Sequence, residues 1–135
     1  MTNFTDNNLC FVCGSDNPHG LRLQFRYDKE TNGIRSDVTF PAYCQGWSGV
    51  VHGGLISTVL DEIMVKSTSA EGYICVTAEI FVKFKKPVLT GNPYVVFGKI
   101  TDIKRKLIYT EGKIMDGNKQ IVALASAKFF MVGRK

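Results

Sequence analysis

The stretch Gly53-Gly54-Leu55-Ile56-Ser57-Thr58-Val59-Leu60-Asp61-Glu62-Ile63-Met64 decides the fold. Leu55, Ile56, Val59, Leu60, Ile63 and Met64 recur at helical spacing and make one continuous apolar stripe. The two glycines mark its entrance, and Gly72 lies just past its end. The spacing predicts a helix over about 54–70. At about 100° per residue, Asp61 and Glu62 fall outside the stripe, one near each border. Asp61 stacks over Ser57 and Glu62 over Thr58, so periodicity does not choose between the two carboxylates.

On either side of this segment the period changes from helical to twofold. Leu21-Arg22-Leu23-Gln24-Phe25-Arg26-Tyr27 alternates apolar and polar residues, as does Ile34-Arg35-Ser36-Asp37-Val38-Thr39-Phe40. The turn from Asp28 to Gly33 makes these two a predicted hairpin. Pro41 ends it, and a loop over 41–51 carries Trp47. After the helix, alternation predicts a strand over Cys75–Phe84. Val76, Ala78, Ile80, Val82 and Phe84 share one face there, with Thr77, Glu79, Phe81 and Lys83 on the other. Tyr94–Asp102, Leu107–Met115 and Gln120–Val132 are further strands, and Asp116-Gly117-Asn118 is a hairpin turn between the last two.

The order is therefore β-β-α-β-β-β-β, an α+β chain with one long central helix wrapped by an antiparallel sheet. One helix cannot cover both faces of such a sheet, so an edge or face is left for a second subunit. If the sheet wraps the helix, at least one carboxylate is partly buried, and burial makes a carboxylate a better base.

The 135 residues suit one domain, 1–135, with a turn-rich, extended lead-in over 1–20. Hydrophobic residues make up 44%, enough for one core. No apolar run reaches spanning length, so no membrane partner is expected. Residues 1–8 lack the basic and apolar regions of a signal peptide, which predicts a cytoplasmic protein. The net charge of +5 comes from 17 Lys/Arg against 12 Asp/Glu. It is dispersed except at Lys83-Phe84-Lys85-Lys86 and Lys104-Arg105-Lys106. Two small clusters suit an anionic small molecule as well as a polymer, and no nucleic-acid partner is expected.

Four cysteines, Cys10, Cys13, Cys44 and Cys75, are expected to be reduced. Cys10-Phe11-Val12-Cys13 is a CxxC with only His19 nearby, so four zinc ligands would need a distant partner. The expectation is no metal and no cofactor, with the CxxC a tight turn carrying two small buried side chains.

At the helix mouth, Gly53 and Gly54 allow close approach, and the first N–H groups of a helix have no intrahelical partner. With the positive end of the helix dipole they suit an oxygen that becomes negative during attack. A turn that needs only permissive φ angles accounts for the same dipeptide.

His52-Gly53-Gly54, with an acid nine residues after the histidine, resembles the signature of hotdog-fold acyl-CoA thioesterases of the PaaI-like 4HBT group. The lead-in Cys10-Phe11-Val12-Cys13-Gly14, followed by Asn17-Pro18-His19-Gly20-Leu21, resembles one branch of that group, as does Gln45-Gly46-Trp47-Ser48-Gly49-Val50-Val51-His52-Gly53-Gly54. The resemblance covers nearly the whole chain. It implies a homodimer or homotetramer that hydrolyses an acyl-CoA thioester. Asp61 would be general base or nucleophile, Gly54 N–H with Gly53 would polarise the carbonyl, and His52 would position substrate or loop. Thr77 would be the small hydroxyl residue near the site. Some relatives carry Asn six residues before the histidine, where this chain has Gly46. Lys104, Arg105, Lys106 and Lys85 are candidates for the coenzyme A phosphates. The alternatives are a non-catalytic acyl-CoA sensing module and, within the same fold, a hydratase or dehydratase.

Overall fold

A computed structural model describes residues 4–135. Its elements are β1 (Arg26–Asp28), β2 (Gly33–Thr39), a 3-10 turn (Ala42–Cys44), α1 (Gly53–Ala70), β3 (Tyr73–Phe84), β4 (Pro93–Lys104), β5 (Leu107–Met115) and β6 (Ile121–Arg134). The strands form one antiparallel six-stranded sheet in the order β1-β2-β4-β5-β6-β3. β1 and β3 are therefore its edges. This is the helix-in-sheet arrangement of the hotdog fold. Among the described residues, no helix is long and apolar enough to cross a membrane.

The apolar stripe of α1 faces the sheet. Val59, Leu60, Ile63 and Met64 are fully buried against Phe40, Val96, Ile114 and Phe129. Burying each such side chain contributes about 1.5–3 kcal/mol. The sheet accepts the helix closely because its inner face is small at the crossing. A Cβ on Gly98 would lie 2.7 Å from the Ile63 carbonyl oxygen, so the α1 backbone rests on that glycine. Ala123, Ala125 and Ala127 of β6 continue this low inner surface.

Two strand expectations need correction. Of the predicted Leu21–Tyr27 strand only Arg26 and Tyr27 pair with β2, in a strand that runs on to Asp28. Upstream, Leu21 N–H donates to Phe11 O and Leu23 N–H to Val12 O, while Arg22 takes a positive φ of 53°. The backbone there is bonded to the lead-in instead of to the sheet. The alternation was still meaningful, since Leu21, Leu23 and Phe25 pack on the core.

The second correction concerns β3. Thr77 pairs with Phe129 but Glu79 with Lys128, so Ala78 is the extra residue of a β-bulge. Phe129, Ala127 and Ala125 are buried under the helix. Their partners Thr77, Ile80 and Val82 therefore share the inner face, and Val76, Glu79, Phe81 and Lys83 the outer one. The predicted single alternation changes phase at Ala78.

Candidate active site

His52 is the N-cap of α1. Its carbonyl accepts from Leu55 N–H at 2.9 Å and from Ile56 N–H at 3.2 Å, and its ring Nδ1 accepts from Gly54 N–H at 3.0 Å. An accepting Nδ1 leaves the ring proton on Nε2. Histidine thus does here what Ser, Thr, Asp or Asn usually does. Of the first-turn donors, Gly53 N–H is the one without a partner among the described residues. Phe84, at the end of β3, stands beside this mouth, 3.5 Å from where a Gly53 Cβ would be.

The loop before the cap is held from both sides. His52 N–H donates to Cys44 O at 2.9 Å and Val51 N–H to Val88 O at 2.8 Å. Gly46 lies against the His52 ring, 3.5 Å from its Cδ2 to an added Cβ. Beyond it, Trp47 projects into solvent at 85% exposure.

Asp61 sits two turns further along, on the border of α1 that faces β3. The Thr77 hydroxyl donates to Asp61 Oδ1 at 2.7 Å. Burial pushes the Asp61 carboxyl above its ordinary range, and the bond from Thr77 partly offsets this. The Ala78 bulge makes the pair possible, because it keeps Thr77 inward while the rest of the strand stays in phase with the core.

Glu62 faces the other way, into the lead-in. The Cys10 thiol donates to its Oε2 at 3.5 Å and the Cys13 thiol to its Oε1 at 3.9 Å. These three ligand atoms lie within 4.8 Å of one another. Burial pushes the Glu62 carboxyl up, against the pull of the Lys66 ammonium. Burial, with the Glu62 charge, pushes the Cys13 thiol up to about 11. The CxxC itself is visible in the sequence, but its partner Glu62 is not. Its partners lie 49 and 52 residues away, and His19, the neighbour in sequence, is not in the cluster.

The structure thus brings Asp61 together with Thr77, and His52 with Gly54, but it does not bring these two pairs together. Gly54 and Asp61 lie on nearly the same face of α1, separated by about 10 Å of helix rise. The basic candidates divide in the same way. Lys85 follows Phe84 at the helix mouth, its N–H bonded to Val122 O at 2.9 Å. Lys104, Arg105 and Lys106 form the β4–β5 turn, level with Val76 through the pairings Leu107–Phe130 and Phe130–Val76. Lys104 is held there by Asp102 at 3.7 Å and by the Tyr109 ring. A groove of about 640 Å³ lies on the outer face of the sheet, lined by Phe81, Lys83, Phe97, Lys113 and Leu124. The sheet separates it from Asp61 and from the helix mouth.

Comparison with known proteins covers the same segment. The model of the thioesterase superfamily matches residues 48–123, from the loop before His52 into β6. An acyl-coenzyme A thioesterase, THEM4 of Xenopus laevis, is 27% identical over 94 residues, covering 66% of this chain and 40% of that one. The chain spans about half the length, or less, of the curated relatives it matches. Among solved structures, a thioesterase superfamily protein, RHA08564, superposes with a TM-score of 0.85 at 23% identity, over 91% of this chain and 60% of that one. A protein of Streptococcus mutans UA159, solved with acetyl-CoA bound, gives 0.74 at 22% identity, over 84% and 90%. The two structural likenesses establish the fold. The match over 48–123, which takes in the His52 cap, both carboxylates and Thr77, shows that the chain belongs to the thioesterase superfamily.

Proposed function

We propose that the protein hydrolyses an acyl-CoA thioester to the free acid and coenzyme A. The observation that carries this reading is Asp61: a half-buried carboxylate, raised in pKa, oriented by Thr77 and placed nine residues after the capping histidine. Asp61 attacks the thioester carbonyl directly or deprotonates the water that does. The oxyanion that forms is met by Gly53 N–H at the positive end of α1. Gly54 N–H joins it when the His52 ring turns aside. The thiolate of coenzyme A then leaves, with its phosphates met by Lys85 or by the Lys104–Lys106 turn, and where Asp61 attacked directly, water hydrolyses the anhydride left on it to release the acid.

Helix rise keeps Gly53 and Asp61 of one chain too far apart to act on one carbonyl, so we assign the complete site to a homodimer. β3 is an exposed edge strand with Phe81 and Phe84 in solvent. Antiparallel pairing of β3 with its copy, about a two-fold at Phe81, keeps inner residues opposite inner ones and sets Phe84 opposite the bulge at Thr77 of the partner subunit. That brings the helix mouth of one protomer to the Asp61 of the other. Whether two such dimers assemble further does not affect this site.

Release of free thiol from a panel of acyl-CoA esters tests the activity. Mixing tests the shared site. Gly53→Pro removes the free N–H while suiting the first helical position, and His52 already has the extended ψ of 131° that a following proline requires. Asp61→Asn and Gly53→Pro chains should each be nearly inactive alone and regain turnover when refolded together, because mixed dimers hold one intact site. No recovery would place both groups of a site in one chain. The second reading is a module that binds acyl-CoA without hydrolysis, favoured by the occupied Gly54 N–H. It gains if tight binding occurs with no thiol release from any ester.

A further inference from the structure

Cys10 and Cys13 lie outside residues 48–123, and thioester hydrolysis at Asp61 makes no use of them. Their surroundings are nevertheless built to closer tolerance than a simple turn requires. Gly14 N–H closes the CxxC on Cys10 O at 2.9 Å. A Cβ on Gly14 would sit 2.5 Å from Cys10 N and 2.6 Å from Asn8 O, so only glycine permits this closure. Gly20 is confined in the same way, 2.5 Å from Phe11 O. The two clamped glycines hold both thiols on one side of the lead-in, towards α1 and Glu62.

We propose that Cys10, Cys13 and Glu62 form a zinc site that fastens the lead-in to α1. Tetrahedral zinc holds sulfur at about 2.3 Å and carboxylate oxygen at about 2.0–2.2 Å, which separates the two ligand atoms by about 3.5–3.7 Å. From the shared oxygen, Glu62 Oε1, the Cys10 and Cys13 sulfurs stand at 3.8 and 3.9 Å, slightly beyond that separation, so the ligands close in only a little to hold the metal. Two soft thiolates and one carboxylate select zinc over calcium or magnesium. Three anionic ligands on a dication leave one net negative charge, and the Lys66 ammonium, one turn beyond Glu62, offsets it. Three protein ligands leave one coordination position for water. Binding exchanges protons for metal: zinc dication, two thiols and a carboxylate give the zinc dithiolate carboxylate and two released protons. The reading based on sequence expected no metal because CxxC had no second pair nearby; the fold supplies the third ligand from the helix.

The test uses the full chain, purified under reducing conditions without chelator. Metal analysis should find about one zinc per chain, and titration of the metal-free chain with zinc should release two protons per metal bound. Cobalt(II) in its place should show tetrahedral ligand-field bands and sulfur-to-metal charge transfer of two thiolates, a readout that needs no variant. Cys10→Ser and Cys13→Ser should lose the metal. Glu62→Gln should weaken binding by more than about tenfold, the loss that even an outer-shell change can produce. Cys75→Ala should keep it. Absence of binding at excess zinc overturns the proposal. So does a cobalt spectrum without thiolate charge transfer, or metal retained at full affinity by Glu62→Gln. A Cys10–Cys13 disulfide in the purified chain, with no metal bound after its reduction, also overturns it.

Discussion

Asp61 and Glu62 are neighbours in the chain, and α1 turns them to opposite borders of its buried stripe. Both are partly buried, and burial raises the pKa of both. What differs is the element that each border meets. Asp61 meets β3, an edge strand, through one neutral hydroxyl on Oδ1. Glu62 meets the lead-in through two thiols, which between them reach both carboxylate oxygens. A carboxylate held by a single neutral donor keeps lone pairs free for attack or for taking a proton. A carboxylate turned into the lead-in, with thiols against both oxygens, is not presented to a substrate. Burial alone therefore does not distinguish a reacting acid from a structural one. The number and kind of partners does.

Exchanging each acid for its amide puts the contrast under the greatest strain. Asp61→Asn keeps size and polarity but removes the base, so kcat should fall by a factor on the order of 10² or more, with KM little changed. Glu62→Gln should lower kcat by far less. Steady-state thiol release on the best ester found measures both, and the reverse ranking would move the chemistry to the lead-in border.

Thermal melting probes the Glu62 border next. If zinc fastens the lead-in, metal at a hundredfold excess over its dissociation constant should add about 2.7 kcal/mol of apparent stability. Chelator should remove that gain from the unmodified chain and leave the Cys10→Ser melt unmoved. Equal responses of the two chains would mean that the lead-in is held by thiol–carboxylate hydrogen bonds alone.

Thr77→Val sharpens the Asp61 side at smaller cost. Losing one hydroxyl bond to a charged group removes about 1.5–3 kcal/mol of support for the carboxylate form. That bond lowers the Asp61 pKa, so its loss should raise the pKa further. Catalysis needs the deprotonated carboxylate, so activity on acidification should then be lost at a higher pH than in the unmodified chain. A pH profile of kcat/KM reads the shift directly, and an unmoved acid limb would detach Thr77 from the reacting acid.

The smallest effect belongs to the basic turn. Neutralising Lys104, Arg105 and Lys106 together should raise KM for acyl-CoA several-fold and leave kcat nearly unchanged, since rim charges act on ground and transition states alike. An unchanged KM would shift the phosphates towards Lys85, at the helix mouth.

Much of this was legible in the chain itself. The stripe from Leu55 to Met64 placed α1 to within a residue of Gly53–Ala70, because helical period is a local property. The hairpin at Asp116-Gly117-Asn118 followed from turn chemistry, and the Asp116 carboxylate does accept from Asn118 N–H and Gln120 N–H there. Thr77 was placed on the wrong face, since alternation cannot reveal a bulge that depends on the partner strand. The His52 cap on Gly54 was missed because histidine is an unusual N-cap. The cluster around Glu62 was invisible for a different reason: nothing local links Cys10 to a helix 52 residues away.

The bulge at Ala78 also marks where β3 can change length over evolution. In a strand, one residue gained or lost reverses every side chain beyond the change. Ala78 is the exception, because its deletion would remove the bulge and leave Thr77, Ile80, Val82 and Phe84 inward and Glu79, Phe81 and Lys83 outward on a regular strand. Length variation is tolerable in the turns at 90–92 and 116–119. Between Glu79 and Phe84, insertions and deletions survive only in pairs, so descendants of this sequence should lose a single residue from β3 only at the bulge.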